Sequence, residues 1–292
     1  TMRLDIMGEE QAKSVATRIQ YASKHAGVAN AWKKWQGETK GVARLGTLEN
    51  KREAERRFQQ WADAHPAYAD VLPQMHGLYA ELAPYAFARD YYAEAYGAVE
   101  LTRFASRLVR AGAGQREAMA REFYKDYSPV IDARIAKKTW GEYLRNVPQE
   151  FLPEAFAQAV AVAGGVDAAV EKLFAESRLT DSVRFAAWLS LDEASRQAAL
   201  EADPAVAMAA AFDGVYLERI AGPYRDLNAR IAALYRVYMR GLMEMEPDAV
   251  FYPDANLTLR VSYGRMEGYK PLDGVYYTPQ TTLEGIMEKD NP

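Results

Sequence analysis

The apolar positions follow a helical period along most of the chain. Between residues 9 and 35, Val15, Ile19, Ala22 and Ala26 recur at spacings of three and four, which predicts an amphipathic helix. Comparable windows continue to about residue 245, separated by proline and glycine. The pattern therefore predicts a mainly α fold of eight to ten helices.

Local signals set the expected helix ends. Gly37 and Gly41 are expected to loosen the chain after the first helix, and Thr47 to cap the next. Pro84 suits the first turn of the longest predicted helix, which would run to Gly112. Further ends are predicted at Ser128-Pro129, at Gly164-Gly165 and at Asp203-Pro204, where the aspartate would cap a helix that begins with proline.

A different period begins near the end of the chain. In the stretch "YPDANLTLRVSYGRMEGY", residues 252–269, Leu257, Leu259, Val261 and Tyr263 alternate with polar residues. Alternation with a period of two predicts a β-strand over 257–263. No second strand to pair with it is evident, so the pattern predicts an orphan strand in a helical protein.

Charge and composition narrow the functional classes. The 292 residues include 36 basic and 40 acidic side chains, a net charge of −4. Nucleic-acid binding needs a concentrated basic patch, which this balance does not predict. No apolar run approaches a membrane span of about 20 residues. The chain has no cysteine, which excludes disulfides, thiolate catalysis and cysteine-ligated metals.

For the candidate metal-binding and acid–base residues, a structural role is a simpler interpretation than a chemical one. His25, His65 and His76 are widely spaced and form no metal-ligand motif, so no metal is expected. Asp90 and Glu94 lie four residues apart on a predicted helix, where two carboxylates could act in acid–base chemistry if burial separated their pKa values. Exposure, with Arg89 or Arg103 as partners, is the simpler interpretation. A series of aromatic residues in the same region is typical of a core or an interface: Tyr79, Tyr85, Tyr91, Tyr92 and Tyr96.

No serine has the surroundings of a nucleophile, so no catalytic residue is predicted within this chain. Asn30 stands out because asparagine is unfavourable inside a helix, and its amide offers both donors and acceptors. Its oxygen could accept a hydrogen bond from a charged amine. From the residues alone, a structural role for Asn30 remains the simpler interpretation.

Two segments resemble a known family. "RLDIMGEEQAKSVATRIQYASKHAGVANAWKKWQG", residues 3–37, and "FYPDANLTLRVSYGRMEGYKPLDGVYYTPQTTLEGIMEKDNP", residues 251–292, are similar to the S46 family of bacterial dipeptidyl peptidases. The resemblance rests most on "RIQYASKHAGVANAWK" and on "DANLTLRVSYG" followed by "GY", which are long and unusual. The helical middle is compatible with the family but less diagnostic.

The resemblance implies a serine exopeptidase of two domains. In this family a chymotrypsin-like double β-barrel carries a His-Asp-Ser triad, and a helical domain inserted in its sequence covers the cleft. Residues 1–250 would be that capping domain, and residues 251–292 a return segment into the barrel. The triad would lie outside this chain, the start of which looks like the middle of a longer polypeptide, and the predicted strand would pair within the absent barrel.

The resemblance also implies a role for Asn30, which matches the family position in "ANAWK" that helps hold the free amine of the substrate. The intact enzyme would release dipeptides from the N-terminus of peptides in the periplasm, without a cofactor, and homodimerisation is left open. The isolated chain would hydrolyse nothing. Two alternatives stay open: a free-standing helical protein-interaction module, and an unrelated helical enzyme using Asp90 and Glu94.

Overall fold

The computed structural model describes residues 1–252, 257 and 259–289. The chain divides into two compact units, Thr1–Pro247 and Asp248–Pro292. Among the described residues, no helix is both long and apolar enough to cross a bilayer.

The first unit is built entirely of helices in its described elements, which confirms the mainly α prediction. Its α-helices are α1 (Met2–Lys13), α2 (Val15–Arg44), α3 (Thr47–Ala62), α4 (Val71–Ala95), α5 (Glu100–Arg110), α6 (Arg116–Lys125), α7 (Pro129–Asn146), α8 (Glu154–Ala163), α9 (Val166–Glu176), α10 (Ser182–Leu189), α11 (Glu193–Glu201), α12 (Pro204–Val215) and α13 (Gly222–Met245). A π-helical segment, Tyr216–Ala221, joins α12 to α13. The described elements thus outnumber the eight to ten predicted helices.

The first predicted helix is divided at Ser14. Ser14 has extended backbone angles and its hydroxyl accepts a hydrogen bond from the Thr17 amide, so it ends α1 and caps α2. The helix α2 then continues through Gly37 and Gly41 to Arg44, where the sequence predicted a loosened chain. A glycine in a helix interior costs only about 1 kcal/mol relative to alanine, which is too little to end a helix of 30 residues.

The turn after α2 also differs from the prediction. Gly46, at φ 59°, occupies the cap position of α3, and Thr47 is the first helical residue instead of the cap. A left-handed backbone angle favours glycine, since other residues are strained there. The Asn50 side chain bonds the Leu45 carbonyl at 3.1 Å and closes the turn.

The longest predicted helix is placed wrongly. Pro84 lies inside α4 and begins no helix, while the break comes later, between Tyr96 and Val99. At Gly97 an added Cβ would lie 2.2 Å from the Ala93 carbonyl oxygen, so only glycine fits this tight exit from α4. The predicted ends at Ser128-Pro129, Gly164 and Asp203-Pro204 are confirmed.

The largest core of the first unit lies among α4, α5, α7, α8, α9 and α12. Trp140, Tyr143, Phe156 and Phe212 are its largest fully buried side chains, and their rings contact one another. Smaller clusters join α3 to α4 and α13, and α1 to α2 and α7. The base of α2 packs with α1 and α7 in the last of these clusters, and α7 in turn belongs to the largest core.

The second unit contains a two-stranded antiparallel hairpin, β1 (Tyr269–Leu272) and β2 (Val275–Tyr277), followed by the short helix α14 (Leu283–Met287). Asp273 and Gly274 form the turn, with Gly274 at φ 74°. The strand predicted over 257–263 is wrong where it can be judged: Leu257 and residues 259–263 are not in a strand, and Thr258 lies outside the described residues.

Candidate functional site

Asn30 lies near the middle of α2 with its side chain exposed to solvent. Within the described ranges its amide makes no hydrogen bond to another residue. Both the acceptor oxygen and the two donors of the amide are therefore free for another molecule or another part of a longer protein.

The face of α2 that carries Asn30 points away from the rest of the first unit. Tyr21 is the one buried side chain of α2, and Trp32 on the same side is half-buried. At about 100° per residue, Asn30 lies roughly 170° around the helix from the midpoint between Tyr21 and Trp32. The helical period predicted that Val15 and Ile19 lie on the buried face of this helix. Their side chains are 65% and 72% exposed, so the predicted inner face of α2 is wrong.

The inner side of α2 borders a cleft of about 750 Å³. Trp32 and Trp35 stack at a centroid distance of 5.2 Å along it, and Tyr91 of α4 lines the opposite wall. Arg3 and Glu94 form an ion pair of 3.7 Å at its edge. The cleft can hold an apolar group, but Asn30 is not among the residues that line it.

The base of α2 is held by a polar cluster of Tyr21, Lys24, Glu100 and Ser128, called the α2 anchor below. The Tyr21 hydroxyl accepts a hydrogen bond from the Ser128 amide at 2.9 Å and donates one to Glu100 Oε1 at 3.2 Å. Lys24 Nζ bonds Glu100 Oε2 at 2.6 Å and lies 4.5 Å from the centroid of the Tyr21 ring. The anchor therefore joins α2 to the start of α5 and to the connection between α6 and α7.

A second polar cluster lies directly behind the anchor. Asp132 of α7 is fully buried, and its two carboxylate oxygens accept the amides of Glu100 and Leu101 at 2.7 and 2.8 Å. It thereby caps the start of α5 from another helix. Burial, and then the charge of Glu100, raise the pKa of Asp132 to about 7, although the two amide donors act in the opposite direction.

Neither cluster was predicted from the sequence, because the partners are far apart in the chain. Glu100 is 79 residues from Tyr21 and 76 from Lys24. One local signal was present: in "RIQYASK", Tyr21 and Lys24 are three residues apart and so share a helix face, which the stripe through Val15 and Ile19 does not include.

The other candidates have local structural roles. Asp90 and Glu94 are both largely exposed, with Arg89 3.4 Å from Asp90 and Arg3 3.7 Å from Glu94. Arg103, the other partner considered, instead donates to the Gly97 carbonyl at 3.0 Å. Two exposed carboxylates, each paired with an arginine, form surface ion pairs, so this geometry does not support the acid–base hypothesis.

The histidines and most of the aromatic series also pack or pair locally. His65 stacks on Trp61 at 4.0 Å, and His76 lies 3.5 Å from Glu55. Among the described residues, no group of acidic and histidine side chains could hold a metal ion. Tyr92 and Tyr96 stack in the core at 5.0 Å. Tyr91 therefore differs from these two, since it faces the cleft.

Comparison with known proteins places this geometry in context. The profile of the Peptidase S46 family matches residues 1–292. An Asp/Glu-specific dipeptidyl-peptidase of Flavobacterium psychrophilum is 33% identical over 298 residues, which cover 96% of this chain and 41% of that protein. Dipeptidyl-peptidase 7 of Porphyromonas gingivalis is 33% identical over 304 residues, covering 98% and 42%.

A solved structure resembles the whole chain. The crystal structure of Porphyromonas endodontalis DPP11 in complex with the dipeptide Arg-Glu matches with a TM-score of 0.78 at 27% identity, covering 100% of this chain and 44% of that one. The same protein in an alternate conformation matches 82% of this chain with a TM-score of 0.58. The chain thus spans less than half the length of the relatives it matches.

Proposed function

Because the chain belongs to the Peptidase S46 family, we propose that it forms the helical capping domain of a serine dipeptidyl peptidase that releases dipeptides from the free N-terminus of peptides. In this proposal Asn30 helps to bind the N-terminal amine of the substrate. The rest of the longer protein supplies a β-barrel domain with the catalytic triad, and residues 251–292 lead back into it.

The observation that carries the proposal is the position of Asn30. Its amide is exposed and unpartnered among the described residues, on the side of α2 that faces away from the first unit. A ligand held there would lie between α2 and whatever covers that side. An ammonium is a strong donor, and the amide oxygen of asparagine can accept from it.

The relatives support the choice of substrate. Both relatives compared above are named dipeptidyl-peptidases, and one solved relative holds a dipeptide. An exopeptidase that removes two residues must locate the free terminus, which calls for acceptors aimed at an ammonium group. Capping the cleft would also exclude water and hold the peptide in place for attack.

The chemical step would take place outside this chain. A histidine would take the proton of the nucleophilic serine as it attacks the peptide carbonyl, and backbone amides would stabilise the oxyanion. The residues of this chain would position the substrate only. We therefore expect the isolated chain to release no dipeptide from any peptide substrate.

Substitution of Asn30 in the full-length protein tests the proposal. We expect Asn30→Ala to raise KM for a dipeptide substrate roughly tenfold to a hundredfold, since a hydrogen bond to a charged group contributes about 1.5–3 kcal/mol. Asn146→Ala is the matched control, because Asn146 is an exposed helical asparagine that bonds only Glu142 on its own helix. An unchanged KM for Asn30→Ala would remove Asn30 from the site.

A second candidate function, a free-standing protein-interaction module, is favoured by the exposed apolar residues of α2, the following turn and the start of α3. Trp35, Leu45 and Leu48 are 57%, 65% and 57% exposed. Under the first proposal, the remainder of the longer protein shields the outer side of α2. Amide hydrogen exchange should therefore be slower in α2 of the full-length protein than in the isolated chain, whereas equal exchange favours the module.

Periplasmic location and homodimerisation belong to the proposal on family grounds alone. Fractionation of cells that express the full-length protein checks the first, and sedimentation of that protein checks the second. Recovery in the cytoplasmic fraction, or a monomer at all concentrations, would remove the corresponding part of the proposal.

A further inference from the structure

We propose that Tyr21 is a positioning residue: through the α2 anchor it sets the place of Asn30. This inference rests on the proposed function of Asn30. It assigns the Tyr21 hydroxyl a part in substrate binding although that hydroxyl is buried and has no contact with the substrate.

The polar contacts of α2 are confined to its base. Within the described part of the chain, the hydrogen bonds and ion pairs that join α2 to other helices and loops come from Gln20, Tyr21 and Lys24. From residue 25 to residue 44, the side-chain hydrogen bonds and ion pairs among the described residues stay within α2, between Thr39 and Trp35 and between Lys34 and Glu38. The directional contacts at the base of α2 therefore act together with α1, which packs along α2, to set the orientation of the outer helix.

Asn30 is nine residues beyond Tyr21, or about 13 Å along the helix axis. The chain between the two residues is continuous α-helix, so a small tilt at the anchor displaces Asn30. The strength of a hydrogen bond falls quickly as its distance and angle depart from the optimum. A displacement of about 1 Å is therefore enough to weaken a bond to a bound amine.

Tyr21 and Lys24 are the α2 residues of the anchor, and each connects α2 to α5 and to the chain between α6 and α7. Lys24 does so by bonding Glu100 and the Asp126 carbonyl. The Tyr21 hydroxyl accepts from the Ser128 amide and donates to Glu100, while its ring is fully buried and carries Lys24. Tyr21→Phe keeps the ring and removes both hydrogen bonds. The substitution therefore weakens the contacts that orient α2, while the packing of its base is kept.

The test uses the full-length protein and a dipeptide substrate with a free amine. We expect Tyr21→Phe to raise KM roughly three- to tenfold, the size of one or two hydrogen bonds, with a smaller change in kcat. Tyr79→Phe is the control, because the Tyr79 hydroxyl bonds Tyr235 at 3.3 Å on an exposed surface away from α2. Equal KM values for the Tyr21→Phe and Tyr79→Phe proteins would overturn the inference.

A double-substitution cycle separates positioning from a general structural effect. If Tyr21 acts through Asn30, Tyr21→Phe should change KM less than about twofold in the Asn30→Ala background. An equal effect in both backgrounds overturns the inference. If Asn30→Ala itself leaves KM unchanged, the proposed function of Asn30 fails, whereas an effect of Asn30→Ala without one of Tyr21→Phe overturns the positioning role alone.

Amide hydrogen exchange provides a readout that is independent of activity. We expect Tyr21→Phe to speed exchange in residues 25–36 at least threefold, with α5 and α7 unchanged, because two hydrogen bonds of the anchor are lost while the core is kept. Unchanged exchange in residues 25–36 shows that the hydroxyl does not hold α2, and it overturns the inference. Faster exchange throughout the first unit shows a loss of folding stability instead of a loss of direction and also overturns it.

Discussion

Asp132 and Asn30 are two polar residues on long helices with opposite surroundings. Asp132 is fully buried and accepts two backbone amides and the Tyr127 hydroxyl. Asn30 is exposed, with no hydrogen-bond partner among the described residues. The first is satisfied within this chain, so its role is structural, while the second offers its hydrogen-bonding groups to something outside it.

The comparison teaches how to separate structural from functional polar residues. A buried carboxylate without partners would be costly, and the partners of Asp132 account for its presence. An exposed asparagine in a helix interior gains nothing locally and is slightly unfavourable for the helix. Under the proposed function, its partner lies in what faces that side of α2, and each of the following predictions tests one side of the contrast.

The largest effect is expected from removing the buried carboxylate. Asp132→Ala leaves two buried amides at the start of α5 without an acceptor, so we expect it to lower the free energy of unfolding by about 3–5 kcal/mol. Urea denaturation of the chain measures this. Asp226→Ala is the control, because that carboxylate is 76% exposed, and a loss no larger than this control shows would contradict the structural role.

The pH dependence of stability tests the same carboxylate. Since the folded state holds the pKa of Asp132 at about 7, above the usual value of 3.8, the folded state binds more protons than the unfolded state between these values. The contribution of Asp132 to the free energy of unfolding is therefore fully present below pH 4. It decreases by up to about 4 kcal/mol as the pH rises to about 7. Glu100, Lys24, Tyr21 and Tyr127 are the charged and titratable groups around it.

Unfolding free energies measured by urea denaturation from pH 4 to pH 8 check this slope. Asp132→Asn removes the group that titrates, so the free energy of unfolding of this variant should change less between pH 4 and about pH 7. A slope that Asp132→Asn leaves unchanged would assign the pH dependence to other groups.

A smaller effect is expected from the third partner of Asp132. The Tyr127 hydroxyl is 3.4 Å from Oδ2, a long hydrogen bond, so Tyr127→Phe should lower the unfolding free energy by about 0.5–1 kcal/mol. Thermal unfolding compared with Tyr263→Phe, whose side chain is 97% exposed, gives the measurement. A loss above 2 kcal/mol would show that the contact is stronger than its length indicates.

The smallest effect on stability is expected at Asn30. Alanine is the better helix former and no hydrogen bond is lost, so Asn30→Ala should leave the unfolding free energy unchanged or raise it by about 0.5 kcal/mol. Urea denaturation of the chain checks the sign. A decrease of more than 1 kcal/mol would mean that Asn30 is structural, as the simpler interpretation of its sequence context held.

Local chemistry made part of the fold predictable. Ser128-Pro129 and Asp203-Pro204 are helix starts set by a side-chain cap and a proline, and both were correctly placed. Pro84 was misread because a proline inside a long helix can be held by packing, as α4 is by α7 and α13. In the hairpin, Asp273-Gly274 is a typical turn sequence. The clearer alternation at 257–263 nevertheless led to a strand being predicted there, and the structure has its strands on either side of Asp273-Gly274.

The candidate site was predictable only at Asn30, and only through the family resemblance. Its exposure depends on which side of α2 packs inward, and Tyr21 decides that through partners 79 and 107 residues away. Periodicity along α2 favoured Val15 and Ile19 instead, both of which face solvent. Contacts between residues so distant in the chain do not show in the hydrophobic periodicity. The anchor and the Asp132 cluster could therefore be identified only from the structure.

The most direct measurement of the central claim compares two substrates in the full-length protein, one with a free N-terminal amine and one in which hydrogen replaces that amine. If Asn30 holds the amine, the ratio of kcat/KM between the two substrates should fall roughly tenfold or more in Asn30→Ala, because the substitution removes a contact that only the first substrate makes. The same ratio in Asn30→Ala and in the unsubstituted protein would contradict the account.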